Sequence, residues 1–126
     1  MSSKIHPKVK KLLKKLKIRL TYEESREIPY ATMVHSINPR IIVNPKLEDH
    51  KLLNIIILHE ITHILHTRLN KENYAIPCSP DGSENSDLVE LLGDFGAMIL
   101  AQSLGIKIPS DFIGNGTSLY TRKFLT

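Results

Sequence analysis

Apolar residues recur along the chain with two different periods. Val9, Leu12, Leu13 and Leu16 fall at i, i+3, i+4 and i+7 behind Pro7, a residue suited to a first helical turn, while lysines cover the other positions. That spacing predicts an amphipathic helix of about ten residues. Residues 18–22 and 30–37 alternate, 40–43 is β-branched, and Asn38-Pro39 between the last two is turn chemistry. A small sheet of about three strands is expected. From 47 or 49 to about 69, helical spacing runs through Leu52, Leu53, Ile56, Ile57, Ile61, Ile64 and Leu65 and is too long for a strand. Residues 70–86 hold two prolines, Gly82 and seven Asn, Asp or Ser residues, the composition of a long functional loop. Residues 86–104 are helical again, with a stripe of Leu88, Leu91, Leu92, Phe95, Met98 and Ile99 and with Gly105 as the stop. The fold class is therefore α+β.

At 126 residues the chain suits one core, so residues 1–126 are expected to be a single domain, with 1–17 the basic helix and 106–126 an irregular tail. The net charge of +4 is unevenly placed: residues 4–19 carry eight basic residues and no acid, leaving nine basic against thirteen acidic residues beyond them. No apolar run approaches the roughly 20 residues of a membrane span, and the lysine-rich start has no apolar core of a secretory signal. One cysteine, Cys78, permits no internal disulfide. Cytoplasmic residence and no membrane partner are expected.

Within the long central helix stands His59-Glu60-Ile-Thr-His63. Residues at i and i+4 lie one above the other on a helix, so both imidazoles can reach one ion, and Glu60 sits about 100° round the axis beside it. Zinc lowers the pKa of a bound water to about 7, and a neighbouring carboxylate can take its proton. The pattern arises by chance in roughly two chains in a hundred of this composition, so its context matters. The isoleucines around it bury the rest of the helix, where two unsatisfied histidines would be costly.

A zinc site needs a third protein ligand. His66 shares the histidine face but lies about 10 Å along the axis from His59. A metzincin pattern would need glycine at 66 and histidine at 69, where this chain has His66 and Leu69. No histidine follows position 66, so a downstream ligand is a carboxylate or Cys78. Glu90, Asp94 and Ala97 share one helix face, which makes Glu90 the candidate ligand and Asp94 the candidate partner of a ligating histidine, with Glu84 and Asp87 as fallbacks.

Three segments, Arg40-Ile-Ile-Val-Asn-Pro-Lys-Leu47, Ile57-Leu-His-Glu-Ile-Thr-His-Ile-Leu65 and Glu90-Leu-Leu-Gly-Asp-Phe-Gly-Ala97-Met-Ile-Leu100, resemble the ImmA/IrrE-type metallopeptidases, minimal relatives of the thermolysin-like gluzincins. The resemblance spans about residues 28 to 101. It implies a small twisted sheet packed on an active-site helix and a glutamate-bearing helix, one Zn²⁺ held by His59, His63 and Glu90, Glu60 as base, and protein or peptide substrates. Gly93 stands where that family usually has alanine. Tyr74, Tyr120, His35 and His66 are all open as the group that stabilises the transition state.

The first helix reads as a solvated lysine face rather than a nucleic-acid contact, and Cys78 as a plain loop cysteine. The alternative to a peptidase is a catalytically silent or latent zinc-binding regulatory module, with the basic helix as its route to nucleic acid.

Overall fold

Pro7 opens the first helix, α1 (Pro7–Lys15), and His6 caps it, its Nδ1 accepting from the Lys8 N–H at 3.1 Å. The structure, a computed structural model, describes residues 4–23, 31–34, 38–49, 51–71 and 86–108. At the far end of α1, Ile18 N–H donates to Leu13 O at 2.9 Å and Lys17 N–H to Lys14 O at 3.1 Å. This paired closure puts Lys17 in the left-handed region, at φ 58°. Ile18 is buried and leads directly into β1 (Arg19–Tyr22).

β2 (Ala31–Val34) and β3 (Arg40–Val43) complete the sheet, in the order β1-β3-β2. β3 runs parallel to β1, from Arg19↔Arg40 to Tyr22↔Val43, and antiparallel to β2, from Ala31↔Val43 to Val34↔Arg40. As the middle strand β3 is covered on both faces, and Ile41, Ile42 and Val43 are all buried.

The periodicity placed the start of the central helix at 47 or 49, but the helix, α2, spans Leu53–Lys71. A 3₁₀ turn at Pro45–Leu47 comes first, capped by Asn44, whose Oδ1 accepts from the Lys46 N–H at 3.0 Å. Leu47 reaches the core from that turn, so an apolar position in helical register belongs to a different element.

α2 lies at the centre and touches α1, β2, β3 and the last helix, α3 (Ser86–Leu104). Leu53, Ile55, Ile56, Ile57, Leu58, Ile61 and Ile64 are all buried, each contributing about 1.5–3 kcal/mol of transfer free energy. Asn54, which interrupts this apolar run, fastens α1. Its Oδ1 accepts from His6 N–H at 2.8 Å and its Nδ2 donates to Lys4 O at 3.5 Å. Arg68 holds the other end of α1, donating from Nη2 to Leu16 O at 3.2 Å.

α3 reverses a simple amphipathic reading. Ala97, Ala101 and Asp94 are completely buried, whereas Phe95 and Ile99 of the apolar stripe are 40% and 64% exposed. Its small face is the one turned inward, which brings two helix backbones close together. Gly105 ends α3 at φ 70°, with Ile106 N–H donating to Ala101 O at 2.8 Å.

Candidate metal centre

One turn apart on α2, His59 and His63 bring their Nε2 atoms to 2.9 Å, their rings edge to face with centroids 4.5 Å apart. Glu60 Oε2 stands 3.8 Å from His59 Nε2. These residues are 4%, 8% and 8% exposed, and their ligand atoms all lie within 4.8 Å of one another. Two imidazoles and a carboxylate drawn together out of water are costly without a compensating partner. The His59-Glu60-His63 group can hold a metal ion, since Nε2 atoms 2.9 Å apart both lie within reach of one ion at metal–nitrogen lengths of about 2.0–2.1 Å.

α3 supplies the outer support. Asp94 Oδ1 is 2.9 Å from His59 Nδ1. An ionised carboxylate only accepts, so Nδ1 carries the proton and donates it. The lone pair of His59 then sits on Nε2, pointed towards His63 and Glu60, which is the tautomer a metal ligand needs. Asp94 is completely buried, so the bond is shielded from competing water.

The approach of α3 depends on two glycines. A Cβ at Gly93 would lie 2.7 Å from His59 Cε1, 2.9 Å from His59 Nε2 and 2.9 Å from His63 Cε1, so the bare helix backbone roofs both imidazoles. A Cβ at Gly96 would run into the Thr62 side chain, with Oγ1 at 2.6 Å. Thr62 is the fourth residue of the motif and is locked by its own bond to Leu58 O at 2.9 Å, so it has little freedom to give way. The sequence carried a signal for this pair: glycines three apart inside a helix each cost about 1 kcal/mol relative to alanine, and only a close approach offsets that.

Of the residues expected from sequence, His59, Glu60 and His63 come together and Asp94 joins them. Glu90 lies on α3 four residues ahead of Asp94, but its side chain and that of Asp87 lie outside the described part. Tyr74, Tyr120, His35, Glu84 and Cys78 also lie outside the described residues. His66 is buried on α2 and does not belong to the group of donors within 4.8 Å. Among the described residues no helix is long and apolar enough to cross a membrane. No protein-family model matches the chain, and no curated protein or solved structure matches it either.

Proposed function

We propose that this chain is a zinc-dependent endopeptidase of the minimal gluzincin type, similar to ImmA/IrrE metallopeptidases, acting on protein or peptide substrates in the cytoplasm. The observation that carries the reading is the convergence of His59 and His63 Nε2 at 2.9 Å with the Glu60 carboxylate beside them. Zinc held by His59, His63 and Glu90 would supply a water of lowered pKa and polarise the scissile carbonyl. Glu60 accepts the proton of the attacking water and passes it to the departing amine. Asp94 keeps His59 in the Nδ1–H tautomer and fixes the ring, so that Nε2 stays available throughout. Among the described residues β2 pairs with β3 on one side only, and α2 packs against it, so an extended peptide can add to its outer edge above the motif.

A second reading, a silent or latent zinc-binding module, draws on the same 3.8 Å separation. A carboxylate that close can complete a two-histidine, one-carboxylate set instead of acting as a base. Zinc content and proteolysis of an unfolded protein, measured for wild type, Glu60→Gln and Glu90→Ala, separate the two. The peptidase reading expects Glu60→Gln to keep its zinc and lose about 10²–10⁴-fold in rate, and Glu90→Ala to lose zinc. Full activity in Glu60→Gln rejects the peptidase reading. Zinc lost from Glu60→Gln but kept by Glu90→Ala supports the latent module.

A further inference from the structure

The basic helix carries a feature that the metal centre does not use. Lys8, Lys11 and Lys15 project from one face of α1 and, with Leu12, Ser103 and Leu104, line a groove of about 340 Å³ between α1 and the last turn of α3. All three lysines are exposed, and among the described residues no carboxylate lines the groove. Lys8 has a structural task, because the last turn of α3 has no basic residue of its own. Its Nζ lies 3.5 Å from where a Cβ of Gly105 would stand, over the negative end of the α3 dipole. Lys11 and Lys15 have no ion pair among the described residues. Two like charges are thus held about 6 Å apart along the axis, above an apolar floor of Leu12 and Leu104.

We propose that this groove is a docking site for an acidic, leucine-bearing protein segment, distinct from the metal centre. Carboxylates meet Lys11 and Lys15, and an apolar side chain covers Leu12 and Leu104. The chemistry favours protein over the other anions that a basic helix attracts. Among the described residues the groove has no arginine for bidentate phosphate contact and no aromatic ring on which a base can stack. Its floor is concave, whereas a bilayer surface meets a flat or convex amphipathic face.

The test uses the full chain and a fluorescein-labelled dodecapeptide of alternating glutamate and leucine, followed by fluorescence anisotropy. Lys11→Glu/Lys15→Glu reverses the charge of the groove. Lys10→Glu/Lys14→Glu reverses the same number of charges on positions that do not line it. Each pair removes one of the two lysines in the last turn of α1, so the loss at the helix end is matched. The four positions are exposed, and circular dichroism checks that both variants stay folded, with Lys11→Gln/Lys15→Gln as the milder substitute. The groove variant is expected to bind about tenfold more weakly, and the control pair within about twofold of wild type. Equal weakening in both would mean diffuse charge and overturn the proposal. So would stronger competition by a thymidine dodecanucleotide or by phosphatidylserine vesicles at equal charge. Failure of wild type to bind the peptide would leave the groove to the chain's own residues, and would overturn it as well.

Discussion

Asp94 does two jobs at one atom pair: it removes a buried imidazole N–H from the list of unsatisfied donors, and it chooses which His59 nitrogen keeps a lone pair. Asp94→Ala is therefore expected to lower zinc affinity by about 10–100-fold, read by competition with a chromophoric chelator. Leaving Nδ1–H without this acceptor also costs about 1–3 kcal/mol of stability. A variant with unchanged affinity would mean that the ring is oriented by other contacts. Lys17 is the opposite case, an exposed residue whose backbone is strained. It occupies the left-handed region where glycine pays no Cβ penalty, and the Ile18-to-Leu13 closure fixes it there. Lys17→Gly is expected to raise stability by about 0.5–1 kcal/mol in urea titration, the steric relief exceeding the added chain entropy. A loss of stability would show that the lysine side chain contributes more than its backbone costs.

The crossing of α2 and α3 is the element on which the centre rests. Gly93, Gly96, Ala97 and Ala101 let α3 lie directly on the motif, and Asp94 reaches His59 because they do. Gly96→Ala is expected to destabilise the fold by about 1–3 kcal/mol, since the added methyl meets a Thr62 side chain held by Leu58 O. The gain in helix propensity, about 1 kcal/mol, is too small to reverse that sign. A Thr62→Ser/Gly96→Ala double variant should recover part of the loss, and additive losses would refute the contact. Elements whose boundaries rest on local chemistry were legible in the sequence. α3 is bounded at Ser86 and Leu104 as the spacing and Gly105 require, and α1 begins at Pro7. The start of α2 was not, because Leu47 keeps helical register while Asn44 and Pro45 divert the backbone into a 3₁₀ turn. The inward face of α3 was legible in part: Asp94 and Ala97 lie buried on the face assigned to the metal, whereas Phe95 and Ile99 of the apolar stripe are exposed, because burial there follows the room available beside two histidines rather than side-chain hydrophobicity. The parallel pairing of β1 with β3 joins residues about twenty positions apart, and no local pattern encodes it. In the motif itself the i, i+4 spacing was enough to bring the two histidines together. The partner that orients His59 could be named as a candidate, but its bond is a tertiary contact.

At the scale of the whole molecule, α2 carries both much of the core and the His59-Glu60-His63 group that can hold a metal ion, so an ion bound there would add directly to the stability of the fold. Its isoleucines anchor it to sheet and helices on most sides, leaving the histidine face as the part whose burial has to be offset by other means. A ligand that binds only the folded chain stabilises it by RT ln(1 + [L]/Kd), about 2.7 kcal/mol at a hundredfold excess over Kd. For a chain of this size that corresponds to roughly 10 °C in Tm. Zinc-loaded wild type is expected to lose about that much on addition of EDTA and to regain it when zinc is returned in excess. His63→Ala, lacking one of the two converging nitrogens, should melt at the same temperature with and without EDTA. On the proposed peptidase reading Glu60→Gln should keep the full EDTA-sensitive increment, because a base would contribute to the reaction and not to the holding of the ion. An increment lost from Glu60→Gln would instead make that carboxylate a ligand. An EDTA-insensitive wild type would mean that the converged histidines are held by protein contacts alone, and the metal would lose its place in both the fold and the proposed chemistry.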